Sequence, residues 1–170
     1  GYGNINTVHQ NIDYGAPDYW CVTAARLFFI YEYCLRHNVS KFFHFENDIM
    51  LYENLNTIDN LIVKNNLYHN QISITRGTNN KIMTGFMYVD TIESFNHLLT
   101  EINHYLESKL DLFSFGIDHL NEMGLLHIYQ VNNPDKLINL PIAPNNNLTT
   151  DFEFYQSVFD PATYGQFLDG

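Results

Sequence analysis

The stretch FFHFENDIMLY, residues 42–52, joins an apolar run to three polar residues and then turns apolar again. The run around His44 is typical of a short buried strand, whereas Glu46 and Asp48 are residues that a buried strand normally excludes. Burial of an unpaired carboxylate is so unfavourable that the group is usually protonated, paired with a base or bound to a metal. Either the strand ends here and its acids face water, or these acids bind a partner such as a base or a metal ion.

The spacing of the two acids favours the second interpretation. Residues i and i+2 of an extended chain project to the same side, so we expect Glu46 and Asp48 to converge and Asn47 to point away. Two convergent carboxylates repel each other, and a divalent cation relieves the repulsion. Mg²⁺ and Mn²⁺ prefer oxygen ligands and are often held by one or two carboxylates plus substrate phosphates. The sequence therefore predicts a metal site at the end of this strand, with a solvated turn as the alternative.

Helical and extended patterns alternate on either side of this stretch. We predict helices over residues 18–37 (with Asp18 as the N-cap), 91–108 and 117–130, and a short helix or turn over 57–65. We predict strands over residues 41–45, 71–75, 81–90 and 137–142. This alternation predicts one α/β layered domain, in which ligands bind beyond the carboxyl ends of the strands.

Composition excludes several classes of protein. A chain of 170 residues, 45% of them hydrophobic, is long and apolar enough to form one domain with a core. The net charge of −11 argues against binding to a nucleic-acid backbone, which requires a basic face. No apolar run approaches the ~20 residues of a membrane span, and no secretory signal pattern is present, so we expect a cytoplasmic protein.

Three segments of the chain resemble one enzyme family. VTAARLFFIYEYCLRHNVSKFFHFENDIMLYENL, residues 22–55, resembles the helix, strand and metal-binding segment of nucleotide-sugar-dependent glycosyltransferases of the GT-A fold. Glu46-Asn47-Asp48 stands where that family has its DxD motif. MTGFMYV, residues 83–89, resembles the strand beneath the donor sugar, and NEMGLL, residues 121–126, resembles a later helix entry that carries polar binding groups.

The resemblance implies a fold and an activity. The fold would be a Rossmann-like layered sandwich, with a mixed and mostly parallel sheet flanked by helices. The activity would be transfer of a sugar from a nucleotide-diphosphate donor, UDP-sugar above all, to a glycan, protein or lipid acceptor. Glu46 and Asp48 would hold Mn²⁺ or Mg²⁺, which would act as a Lewis acid on the departing phosphate.

The resemblance also implies a set of donor-binding residues, namely Arg26, Asn47, Thr84, Gly85 and Asn121. Arg26 would offer a fork-shaped charge to phosphate or to paired hydroxyls. Its alternative role is an ion pair within the protein, with Glu32 or Asp18.

A catalytic base over the acceptor would be needed if the enzyme inverts the sugar. Asp118 and Glu122 are candidates, because the predicted helix over 117–130 places them one turn apart on one face.

Two departures from the family leave other functions open. The chain lacks an obvious first strand-helix unit, which cradles the nucleoside in this fold, and it ends before the histidine that many members use as a further metal ligand. We therefore expect residues 1–170 to form a single partial domain, incomplete at both ends. A non-catalytic module that binds a sugar or a partner, and a nucleotidyltransferase-like enzyme, are the alternatives.

The helix predicted over residues 18–37 is apolar on nearly every side. Leu27 and Tyr31 lie on one side, and Val22, Phe29 and Tyr33 lie on the other. The predicted strands can cover only one of these sides. We therefore expect an exposed apolar patch and an unpaired sheet edge, both of which favour self-association.

Overall fold

A computed structural model describes residues 17–47, 49–64, 69–78, 81–108, 110–117, 121–142 and 152–159. Its elements are α1 Pro17–His37, β1 Phe42–Phe45, α2 Leu55–Lys64, β2 Ile72–Thr78, β3 Lys81–Val89, α3 Ile92–Glu107, a 3₁₀ turn Leu112–Phe115, α4 Glu122–Asn132, β4 Leu137–Asn139 and α5 Phe152–Tyr155. The α/β class and the order of the main elements match the sequence-based prediction. Asp18 lies inside the first turn of α1, so its predicted place as the N-cap is wrong.

The four strands form one mixed sheet in the order β1-β3-β2-β4. β3 pairs with β1 and with β2 in antiparallel fashion, and β2 pairs with β4 in parallel. The expectation of a mostly parallel sheet is therefore wrong for the described strands. Only two residues separate β2 from β3, and so short a connection can join only antiparallel neighbours.

The two faces of the sheet carry separate cores. α1, α3 and α4 cover one face, where Leu27, Phe95 and Leu126 are buried. α2 and α5 belong to the other face, where Ile58 and Tyr155 are buried. β3 serves both faces, because alternate residues of a strand point to opposite sides. Met87 and Val89 thus belong to the first core, and Phe86 and Tyr88 to the second.

α1 is buried along only one side. Leu27 and Tyr31 belong to the core, but Val22, Phe29 and Tyr33 are 67%, 68% and 60% exposed. We call these three residues the outer face of α1. They form an apolar patch of the kind that the sequence predicts. Among the described strands, β1 pairs only with β3, so β1 is an edge strand of the sheet.

No helix within the described ranges is long and apolar enough to cross a membrane.

Phe95 should be among the most important core residues for stability. It is fully buried, and its ring centroid lies 6.2 Å from that of Tyr31 and 5.3 Å from that of Phe42, so it joins α3 to α1 and β1. Phe95→Ala should lower the free energy of unfolding by about 3–5 kcal/mol, measured by urea denaturation. Phe113, which is 78% exposed, provides the control. Equal losses for Phe95→Ala and Phe113→Ala would contradict this account of the core.

Candidate functional site

Four polar side chains from distant parts of the sequence meet at one end of β1. They are Arg26 from α1, Glu46 directly after β1, Thr84 from β3 and Glu122 from the start of α4. We call them the arginine cluster. All four are among the candidate site residues predicted from the sequence.

Arg26 is the centre of this cluster. Its Nη1 lies 2.8 Å from Glu46 Oε1, and its Nη2 donates to Glu122 Oε1 at 3.1 Å and to Thr84 Oγ1 at 2.7 Å. Both arms of the planar guanidinium are therefore used, and a single ammonium could not reproduce this geometry. Of the two alternative partners predicted for Arg26, Glu32 pairs with Arg36 instead, and the side chain of Asp18 lies outside the described residues.

Thr84 connects the two carboxylates. Its Oγ1 lies 3.2 Å from Glu46 Oε1 and 3.3 Å from Glu122 Oε1. A hydroxyl has one proton, so Thr84 donates to one carboxylate at a time while it accepts from Arg26. The hydroxyl proton of Thr84 can therefore point either to Glu46 or to Glu122.

Local backbone geometry places these side chains. The Glu46 N–H donates to the Gly85 carbonyl at 3.0 Å and continues the β1–β3 ladder, which brings Glu46 beside Thr84. Gly85 therefore contributes a backbone carbonyl to the ladder. Asn121 is the N-cap of α4, where its Oδ1 accepts from the Gly124 N–H at 2.8 Å. This cap fixes Glu122 in the first helical turn, where the helix dipole favours a carboxylate.

The chain turns after Glu46, whose carbonyl accepts from the Ile49 N–H at 3.1 Å. The convergence of Glu46 with Asp48 stays a prediction. α4 begins at Glu122, directly after an extended Asn121, so the predicted start of this helix at residue 117 is wrong. Asp48 and Asp118 themselves lie outside the described residues, and Asn47 is exposed in the turn.

Burial shapes the electrostatics of the cluster. Glu122 is 7% exposed, and this burial raises the pKa of its carboxyl above the usual range, with the nearby charge of Glu46 adding to the effect. A hydrogen bond from Thr23, the charge of Arg26 and a bond from Thr84 oppose the rise in pKa. Burial, and then the charge of Arg26, lower the pKa of His44, so this histidine is disfavoured as a second cation.

Thr23 was not among the residues selected from the sequence. It lies three residues before Arg26 on α1, the spacing that places two side chains on one face of a helix. A search for polar neighbours of Arg26 at helical spacing would have found it.

Of the two predicted metal ligands, the described residues include only Glu46. Within the described ranges, no group of three or more His, Cys, Asp or Glu side chains is placed to hold a metal ion. The Glu46 side chain is 34% exposed, but its Oε1 already contacts Arg26.

Comparison of the chain with protein-family models, with curated proteins and with solved structures gives no match.

Arg26→Lys tests whether the two-armed guanidinium of Arg26, and not its charge alone, stabilises the fold. Lysine keeps the charge but not the two arms, so we expect the free energy of unfolding to fall by about 1–2 kcal/mol. Arg36→Lys is the matched control, because the Arg36 side chain is 77% exposed and its ion pair with Glu32 is 3.7 Å long. Its cost should stay below about 0.5 kcal/mol in urea denaturation. If the two substitutions cost the same, the cluster does not stabilise the fold.

Glu122→Gln should change how stability depends on pH. Because the pKa of Glu122 is raised in the folded chain, folding favours its protonated form. The resulting contribution to stability is complete below the unfolded pKa of about 4.3 and is lost as pH rises through the folded pKa. Urea denaturation from about pH 4 to pH 8 should show the stability of the wild type, relative to Glu122→Gln, falling and then levelling off. Parallel curves for the two proteins would show that burial does not perturb this carboxyl.

Proposed function

We propose that this chain carries the donor site of a metal-dependent glycosyltransferase, which moves a sugar from a nucleotide-diphosphate donor to an acceptor. One observation carries the proposal. Arg26, Glu46, Thr84 and Glu122 are separated by as many as 96 residues in sequence, yet Arg26 and Thr84 each lie within hydrogen-bonding distance of both carboxylates. The cluster lies beyond the carboxyl end of β1, the end at which parallel α/β sheets bind ligands, although β3 runs antiparallel to β1 here.

The charge of the cluster supports a metal-dependent donor. Two carboxylates face one guanidinium, and a nucleotide diphosphate would bring further negative charge. Like charges at this distance repel strongly in a half-buried site, so binding of a diphosphate would require a cation. Glu46 and Asp48 are the residues that would hold Mn²⁺ or Mg²⁺. The ion would stabilise the negative charge that develops on the leaving diphosphate.

Each residue of this chain then has a defined task. Arg26 would orient the donor, because Glu46 and Glu122 fix the direction of its guanidinium. Glu122 is a positioning residue in this scheme, since it is buried and acts through Arg26 and Thr84. Asp118 stays the candidate base that the sequence offers. Asn47 is exposed and would add a contact to the donor. Thr84, Gly85 and Asn121 would act by holding Arg26, Glu46 and Glu122 in place.

A second candidate function is a module that binds a sugar or a partner without turnover. The observation in its favour is that Arg26 already has partners on both Nη atoms. Ion pairs of this kind can hold a fold together without any ligand, although Arg26 Nε and Glu122 Oε2 are buried here with no hydrogen-bond partner among the described residues.

Calorimetry with nucleoside diphosphates tests the donor site. The chain should bind at least one of UDP, GDP and ADP roughly tenfold or more tightly with Mn²⁺ than with EDTA, a difference of about 1.4 kcal/mol or more. Glu46→Gln and Asp48→Ala should each remove this gain. Glu53→Gln provides the control, because Glu53 is an exposed carboxylate in the same connection.

Equal affinity with and without the metal would overturn the metal-dependent site. Release of nucleoside diphosphate from the matching nucleotide-sugar then separates the two candidate functions. Metal-dependent release supports the transferase, and binding without release supports the module.

A further inference from the structure

Residues 112–117, which follow α3, form a short surface segment with a defined shape. We call this segment the strap. The Asp111 side chain caps its 3₁₀ turn, which ends at Gly116 in the left-handed conformation. The Ile117 N–H then donates to the Leu112 carbonyl at 3.1 Å, so the two ends of the strap are tied together. The strap can therefore move as a unit.

Two residues of α4 hold the strap. The Ile117 side chain is 5% exposed and packs on Gly124, where a Cβ atom would lie only 3.1 Å from Ile117 Cγ2. His127 lies three residues after Gly124, on the same face of the helix, and forms a hydrogen bond with the backbone of Phe115. Ile117 is the only buried residue of the strap, so few contacts keep the strap in place.

His127 is buried beside a positive charge. It is 9% exposed, and its Nδ1 is buried with no hydrogen-bond partner among the described residues. The Arg76 guanidinium approaches the ring from β2 and donates to Gln130 of α4. Burial first, and the charge of Arg76 second, lower the pKa of His127, whereas the hydrogen bond with Phe115 opposes this fall in pKa.

The other groups around the ring do not offset that charge. Within the described ranges, Arg76 is the charged group that faces His127, and the strap presents a backbone group there. Glu122, the acidic residue of α4, pairs with Arg26 at the start of the helix. A proton on His127 would therefore add a second positive charge near Arg76 and would leave a buried N–H without an acceptor.

Both penalties disappear when water reaches the ring, and the strap is the neighbour that can yield. α4 and β2 are parts of the main core, where Leu126 and Ile74 are fully buried. The strap instead exposes Phe113, Ser114 and Gly116. Segments with few buried contacts open at the lowest free energy, while core elements open only with the whole domain.

We propose that the strap is an acid-sensitive device, docked on α4 while His127 is neutral and released when His127 gains a proton. Release uncovers Gly124, two residues after Glu122 of the arginine cluster. Because the docked state lowers the pKa of His127, docking is strongest above the ordinary histidine pKa of about 6.5 and weakens as pH falls below it. The device does not depend on the proposed transferase activity.

Hydrogen–deuterium exchange of the whole chain, read residue by residue by NMR at about pH 7.5 and about pH 5, tests the release. Rates are corrected for the intrinsic pH dependence of exchange. The Gly116 and Ile117 amides, which are hydrogen-bonded within the strap, report its docking, and the Ile128 amide in the middle of α4 reports the fold. We expect protection of the strap amides to fall roughly tenfold at the lower pH, the factor for one unit of pKa, while Ile128 stays protected.

Three variants identify the group that responds. His127→Gln keeps a donor for the Phe115 backbone but cannot gain a proton, so the fall in protection should disappear. Arg76→Gln should reduce the fall, because it removes one of the two penalties on protonation. His104→Gln is the matched control, since His104 is an exposed histidine of α3, and it should leave the fall unchanged.

Strap protection that is the same at both pH values in the wild type, or an equal fall in His127→Gln, would overturn the proposal. A parallel fall at Ile128 would also overturn it, because the whole domain would then be unfolding. If His127→Gln itself loses protection at Ile128, Arg76→Gln decides, and an undiminished fall in that variant contradicts the device.

Discussion

The pairing of β3 with strands on both of its edges holds this protein together. β3 forms antiparallel ladders with β1 and with β2, and its alternate residues fill the cores on both faces of the sheet. The same strand carries Thr84, and its ladder with β1 brings Glu46 alongside. A change of register by one residue would exchange the two faces of β3 and would also separate these two side chains. The fold and the candidate site therefore share one constraint.

In the arginine cluster, one guanidinium pairs with two carboxylates at a partly buried position. Loss of hydration raises the free energy of all three charged groups, and only close pairing of opposite charges offsets this increase. Arg26 meets this requirement with both of its Nη atoms, and the Thr84 hydroxyl donates a hydrogen bond to one of the two carboxylates. Burial raises the pKa of Glu122, so the charge of the cluster depends on pH.

α1 has two sides with different tasks. One side anchors the helix through Leu27 and Tyr31, and the opposite side presents Val22, Phe29 and Tyr33 to solvent. Arg26 lies between these sides, in contact with the buried carboxylate of Glu122 and also at the edge of a shallow groove that Phe29 and Tyr33 line. An element that covers the groove would therefore lie beside the cluster.

The sequence by itself determined the features that depend on near neighbours. Helix and strand patterns follow from periods of 3.6 and 2 residues, and an apolar residue at each repeat marks the buried side without knowledge of the partner. Glu46 was selected because a charge next to an apolar segment requires an explanation, and Arg26 was selected through the family resemblance of its helix. The tertiary structure decided the rest: the direction of the strands, the turn after Glu46, and the meeting of Arg26 with Glu122 across 96 residues. These features depend on which surfaces pack together, and no period in a single segment encodes the position of a distant partner.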